Sequence, residues 1–173
     1  MHKVLILSDS HGLTKEIEQI KIRHHADLNI HCGDSELSTD APQLSAFTTV
    51  RGNCDWTATF PHEEVIEVGG VRIFISHGHL TQVKSTLMNI QYRALELDAD
   101  IVCFGHSHIA YAEMIDDRLF INPGSIRFPN RIKEPSYALL EWESNADIKV
   151  TFYHVNGEEI RTLPYEKIFK FRS

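Results

Sequence analysis

Val4-Leu5-Ile6-Leu7-Ser8-Asp9-Ser10-His11 sets an uninterrupted apolar run directly before an Asp-x-His pair. A short run of this kind reads as a strand buried on both faces, as in sheets covered by helices. The same order recurs in four more places. Leu28 to Cys32, with His31 inside it, leads into Gly33-Asp34, and Phe47 to Val50 leads to Gly52-Asn53-Cys54-Asp55. Ile73 to Ile75 reaches His77-Gly78-His79, and Ile101 to Phe104 reaches Gly105-His106-Ser107-His108. In α/β sheets ligands gather beyond the carboxyl ends of strands, so residues far apart in sequence can converge there. Glycine beside them lets the backbone turn sharply and approach an ion or a phosphate. One Asp-x-His or His-x-His is a weak signal, because ordinary loops produce both. Five strands that each end in metal-ligand residue types are a strong one.

Carboxylate, neutral imidazole and amide oxygen together suit Mn, Fe, Co, Ni or Zn better than Mg, which prefers oxygen octahedra and keeps its waters. Two such ions about 3.5–4 Å apart can share a hydroxide, bring the pKa of its parent water towards about 7, and clamp both ends of an in-line displacement at phosphorus. The blocks Asp9-x-His11, Gly33-Asp34, Gly52-Asn53-x-Asp55, His77 and Gly105-His106-x-His108, followed by Asn122-Pro123-Gly124-Ser125, carry a resemblance. In order and spacing they resemble those of calcineurin-like metallophosphoesterases of the small single-domain phosphodiesterase type, from Asp9 to about Arg131.

The resemblance implies one ion held by Asp9, His11, Asp34 and His108 and a second held by Asp34, Asn53, His77 and His106, with Asp34 bridging. It implies an α/β fold, a four-layer αββα sandwich of two mixed sheets flanked by helices, in which Asn122-Pro123-Gly124-Ser125 borders the metals or is a plain turn. The expected cofactors are two divalent transition-metal ions, Mn first, with Ni, Fe, Co or Zn as alternatives. The expected activity is hydrolysis of a small phosphate ester, a diester before a monoester, by a metal-bridging hydroxide. Asp34, Asn53 and His79 are the side chains expected to act most directly. A homodimer is compatible with the family.

One position departs from the family pattern. Its third block is commonly Gly-Asn-His-Asp/Glu, and Cys54 stands where that histidine would assist the leaving group. A general acid contributes about 10²–10⁴-fold, most for leaving groups of high pKa. A thiol is a weak donor that titrates near 8.5. His79 or a metal-bound water is the alternative donor. Two other classes share the fold: interaction scaffolds of the retromer type, which tend to lose some of the ligand histidines, and nucleases, for which a basic groove or an added capping domain is expected.

Histidines outside this grammar read differently. His24, His25, His62 and His154 follow no ligand pattern and are expected to be ordinary surface or core residues. His31 reads either as support for a metal ligand or as a hydrogen-bonded buried histidine. Arg127 and Arg131 can bind phosphate in bidentate fashion or remain surface arginines.

At 173 residues and 42% hydrophobic, the chain can bury a sizeable core, and no linker divides it, so one domain over 1–173 is expected. A formal charge of −7 gives no support to sequence-independent nucleic-acid binding. Cys32 and Cys103 read as small apolar fillers, and an odd set of three cysteines favours a reducing cytosol. No apolar run is long enough for a membrane span, and none follows a basic start as a leader would.

Elsewhere, Leu13, Ile17 and Ile20 predict an amphipathic helix over Leu13 to Arg23. Val83, Leu87, Ile90, Ala94 and Leu97 predict a longer one. Glu64 to Val68 and Val71 to Ser76 predict a hairpin about Gly69-Gly70, with another turning at Asp116-Asp117. Leu119 to Ile121, Tyr137 to Trp142 and Ile148 to His154 predict short strands of a second sheet.

Overall fold

Strand β1 (His2–Leu7) has no exposed residue from Val4 to Leu7. Successive side chains of a strand point to opposite faces, so Val4 and Ile6 pack in one core cluster while Leu5 and Leu7 pack in another. Such a strand needs cover on both faces and a neighbour on each edge. In the computed structural model, which describes residues 1–143, 147–165 and 167–170, it has all four.

β2 (Leu28–His31) runs parallel to β1 on one edge and β9 (Ser136–Trp142) antiparallel on the other. β3 (Thr48–Thr49) lies beyond β2, and β10 (Ile148–His154) and β11 (Ile168–Phe169) lie beyond β9, giving the six-stranded order β11-β10-β9-β1-β2-β3. The second sheet has five strands in the order β4-β5-β6-β8-β7. Its β4 (Glu63–Val68) and β5 (Val71–Ser76) form the hairpin predicted around Gly69-Gly70. β6 (Ile101–Cys103) and β8 (Arg118–Pro123) add in parallel, and β7 (Ala110–Ile115) closes the sheet antiparallel to β8.

The two sheets face each other across a shared core that includes Ile6, Ile75, Cys103, Ile121 and Leu140. Helix α1 (Lys15–His24) seals the outer face of the first sheet with Ile17 and Ile20 against Leu5, Leu7 and Leu139. Helix α2 (Met88–Glu96) seals the second with Ile90 and Ala94 against Phe74, Val102 and Phe120. The order of layers is therefore αββα. Cys32 and Cys103 are free, buried and part of the central core, as apolar fillers should be. No helix among the described residues is long and apolar enough to cross a membrane.

Three expectations need correction. Tyr137 to Trp142 and Ile148 to His154 do not build a second sheet with Leu119 to Ile121. As β9 and β10 they extend the sheet of β1, whose second edge would otherwise expose its N–H and C=O groups. The longer helix begins only at Met88, whose N–H is taken by Thr86 Oγ1 at 3.1 Å, and Val83 and Leu87 lie in the turns before it. β7 and β11 had no strand assignment of their own, although β7 does turn into β8 at Asp116-Asp117, both with positive φ.

Phe120 is 1% exposed between β8 and α2. Phe120→Ala is expected to lower unfolding stability by about 3–5 kcal/mol in denaturant titration. A loss below about 1 kcal/mol would mean that α2 does not seal this face.

Candidate metal centre

Parallel strands β1, β2, β3, β5, β6 and β8 deliver their carboxyl ends to one edge of the sandwich. The ladders do not stop where the strands do. Asp9 N–H donates to the Gly33 carbonyl and His11 N–H to the Asp34 carbonyl, both at 3.0 Å, and Gly105 N–H donates to the His77 carbonyl at 3.0 Å. Residues of four ligand-bearing loops are thereby zipped together in pairs.

The backbone pays for this convergence with strain. Asp9, His11, Asp34, His106 and His108 all have φ between +42° and +66°, a region that non-glycine residues enter rarely and at a cost of about 1–3 kcal/mol each. Two glycines make room for close approach. A Cβ on Gly52 would lie 2.0 Å from Asp34 Oδ1, and one on Gly105 would lie 2.0 Å from Ser8 Oγ.

The sequence-predicted side chains meet in two groups. Asp9, His11 and His108 present ligand atoms all within 4.8 Å of one another, and so do Asp34, His77 and His106. Asn53 joins the second group, its Oδ1 lying 3.1 Å from His77 Nε2. Asp34 belongs to the second group and not the first, whereas Asp9 Oδ1 lies 3.9 Å from both His11 Nε2 and His77 Nε2. A third cluster, of His11, Glu36 and Cys54, shares a residue with the first.

Hydrogen bonds outside the cluster decide what faces inward. His108 Nδ1 is 2.7 Å from the Phe128 carbonyl and His77 Nδ1 is 2.7 Å from the Cys32 carbonyl. A carbonyl only accepts, so each Nδ1 carries the proton, and a neutral ring then turns a bare Nε2 lone pair inward. His108 Nε2 points at Asp9 Oδ1 at 3.0 Å, and His77 Nε2 points at Asp34 Oδ2 at 3.2 Å. The carboxylates are held the same way. Asp9 Oδ2 accepts from Ser8 Oγ at 2.5 Å and from His106 N–H at 3.1 Å, while Asp9 Oδ1 is buried with no hydrogen-bond partner. Asp34 Oδ1 accepts from Cys54 N–H at 2.7 Å.

The result is a set of acceptors aimed at one another, which is stable only with positive charge among them. Protons can supply it. Burial opposes charging of His77, but the contact with Asp34 and the charge of Asp9 outweigh it and raise its pKa. The contact with Asp9 raises His108 against its burial. Burial also opposes ionisation of Asp9 and Asp34, and the imidazoles outweigh it and hold both carboxyls below their ordinary range. His106 is pushed down to about 4 by burial and by the charge of His77, and so offers a free lone pair. A divalent cation supplies the same charge to all these donors together, and the carboxylate, imidazole and amide set fits one.

Four residues behind the cluster hold it. Asp55 had no assigned role, yet its Oδ2 accepts from Asp34 N–H and Gly52 N–H at 2.8 and 2.7 Å, and its Oδ1 accepts from Glu36 N–H at 2.8 Å. The signal was present, because an Asp in a turn commonly accepts from nearby backbone N–H groups. His31 accepts from Gly33 N–H at Nδ1 and meets Ser10 Oγ at Nε2, 2.8 Å away, so it supports the Asp9-to-His11 loop and the Asp34 turn at once. Ser125 Oγ donates to the Asp9 carbonyl at 2.8 Å, and the Asn122 amide donates to the Gly105 carbonyl at 2.9 Å. The Asn122-to-Ser125 turn therefore borders the cluster.

Other candidates take peripheral places. His79 packs its ring against those of His77 and His106, at 5.3 and 6.1 Å. The Arg127 guanidinium donates to the His11 carbonyl and covers the Phe128 ring. Arg131 is exposed on the loop after β8. His24 is bonded to the Tyr137 hydroxyl at 2.7 Å, as an ordinary packed histidine would be. Cys54 is near the cluster, but burial and the charge of Asp34 push its thiol up to about 11.

Comparison with known proteins agrees with this geometry. The profile of the calcineurin-like phosphoesterase superfamily domain matches residues 2–145. A probable metallophosphoesterase of Bacillus subtilis is 51% identical over 162 residues, covering 92% of this chain and 95% of that protein. The crystal structure of a conserved protein of Streptococcus pneumoniae, described as a predicted phosphoesterase, superposes with a TM-score of 0.91 at 34% identity, covering 96% of this chain and 97% of that one. Vps29 of Entamoeba histolytica, solved with Zn²⁺, shares the fold at a TM-score of 0.72 and 20% identity, covering 88% of this chain and 92% of its own.

Asp55→Ala strands the buried N–H groups of Asp34 and Gly52 and frees the part-buried N–H of Glu36. It is expected to cost about 3 kcal/mol of stability by denaturant unfolding. A variant as stable as the parent would show that these bonds do not hold the Asp34 turn.

Proposed function

The chain belongs to the calcineurin-like phosphoesterase superfamily, and on that premise we propose that it is a metal-dependent phosphodiesterase in which Asp9, His11, Asp34, Asn53, His77, His106 and His108 hold two divalent ions. One observation carries the reading: Nε2 of His77 and of His108, whose Nδ1 atoms are engaged by backbone carbonyls, face carboxylate oxygens of Asp34 and Asp9 at 3.2 and 3.0 Å. Two such ions, Mn first among Mn, Ni, Fe, Co and Zn, would supply an activated water and neutralise charge on the phosphoryl oxygens.

The chain's own residues do the rest. Asp34 uses Oδ1 to hold the Cys54 backbone and presents Oδ2 to His77; its bridging role rests on the family membership. Asn53 is exposed at the rim, where its amide can orient a phosphoryl oxygen. Burial holds His79 below its ordinary pKa, so it meets the substrate neutral. It can lend an N–H to the leaving oxygen but has no spare proton. The thiol of Cys54 is a weaker donor still. A leaving group that departs as a stable anion needs no more, and this favours diesters with acidic leaving groups. β9 and β10 complete the sheet of β1, which supports a single working domain over residues 1–173. Three free thiols fit a cytosolic setting.

Hydrolysis of bis(4-nitrophenyl) phosphate and of 4-nitrophenyl phosphate with added Mn, Ni, Co, Zn or Mg tests the reading. The diester is expected to turn over faster with a transition metal, and Asp34→Asn to lose about 10²-fold or more. Equal rates for Asp34→Asn and the parent would sink the two-ion site, and loss of bound metal with no loss of fold would not rescue it.

Cys54→His supplies the missing acid. It is expected to raise the rate on an alkyl leaving group by about 10²-fold while changing 4-nitrophenyl esters little. Equal gains on both esters would show that position 54 does not act on the leaving oxygen.

A further inference from the structure

A groove of about 580 Å³ opens beside the Gly105-to-His108 loop, large enough for one ring-sized group. Ser107, between two of the proposed ligands, lines it. So does Asn130, whose N–H donates to the His108 carbonyl at 2.9 Å and whose side-chain amide donates to the Ser107 carbonyl at 3.2 Å. The far wall is thus tied to the same loop that carries the ligands.

Phe104, Tyr111 and Tyr165 give the groove an aromatic floor, with ring centroids 6.2 Å apart in the first pair and 5.6 Å in the second. Both hydroxyls are engaged: Tyr111 donates to Glu113, and Tyr165 donates to the Ala110 carbonyl at 2.9 Å. The rings therefore offer faces and edges. The charged groups of the lining are Lys84 and Arg131, both exposed and neither ion-paired among the described residues. Lys84 is close enough to depress His106 and His108. The chain as a whole carries 24 acidic and 17 basic residues, yet among the described residues no carboxylate lines the groove.

We propose that this groove is the subsite for the ester arm that stays on phosphorus, and that it selects an aromatic arm bearing its own negative charge. The proposal rests on the phosphodiesterase reading above. Aromatic faces take the ring, and the two cations take a carboxylate or second phosphate on it. The phosphoryl group itself belongs to the metal centre, so the charge of Lys84 and Arg131 is left for a further anion.

Two diesters test it: 4-nitrophenyl phenyl phosphate and 4-nitrophenyl 4-carboxyphenyl phosphate. Water adds at phosphorus in both, and 4-nitrophenolate leaves from both. The parent is expected to favour the carboxylated diester by about fivefold in kcat/KM, mainly through KM. Lys84→Gln with Arg131→Gln is expected to bring the ratio close to one, while Lys15→Gln with Lys21→Gln, two lysines on α1 with no ion pair among the described residues, keeps it and controls for net charge. An unchanged ratio in the double variant, or no preference in the parent, overturns the groove and leaves the diesterase reading standing. Titration calorimetry with 4-carboxyphenyl phosphate and phenyl phosphate in the Mn-loaded protein decides the groove separately. Tighter binding of the carboxylated compound, lost in the double variant, supports it, and equal affinities overturn it. Absence of turnover of either diester counts against the diesterase reading instead.

Discussion

Bare imidazole nitrogens facing carboxylate oxygens at 3.0–3.2 Å repel one another unless positive charge lies among them. Everything around the cluster enforces that confrontation. The Phe128 and Cys32 carbonyls take the outer protons of His108 and His77, and Ser8, His106 and Cys54 satisfy the outer oxygens of Asp9 and Asp34. The demand for positive charge, from protons or a cation, is therefore built from ordinary neutral hydrogen bonds one layer away from the cluster.

A cluster of this kind is held against its own repulsion by the sheets. Left-handed φ at Asp9, His11, Asp34, His106 and His108 would relax in an isolated loop. Here each of these residues lies within a few positions of a strand that is buried on both faces. Val4 to Leu7 and Ile101 to Cys103 fix the chain just before it turns. Asp55 then ties the Asp34 and Gly52 turns to each other, so that two strained segments share one anchor.

The clustered side chains and both outer helices were legible because their signals are local. An apolar run, a glycine and a ligand type stand side by side in sequence, and α1 shows its face in Ile17 and Ile20. The partners of β9 and β10 were not legible, because their apolar alternation is equally suited to either sheet. The choice is made by β1, more than a hundred residues earlier, which needs a neighbour on its second edge. Asp55 and Ser125 were visible as turn residues, but what they hold depends on which loops meet. The start of α2 was misjudged because the apolar spacing of Val83 and Leu87 continues through the turns that precede Met88.

β3 has two residues because the chain leaves the sheet there to carry Gly52 and Asn53 into the cluster, and β11 at the opposite edge has two as well. A sheet edge recruits another molecule only where several consecutive N–H and C=O groups lie free. The six-stranded sheet thus ends on both sides in stubs too short to template a foreign strand. The longer edges, β4 and β7, belong to the other sheet, and β4 carries Glu63, Glu64 and Glu67, so a second copy adding there would set like charges against each other. Shaping the ligand loops in this way also protects the six-stranded sheet against growing strand by strand.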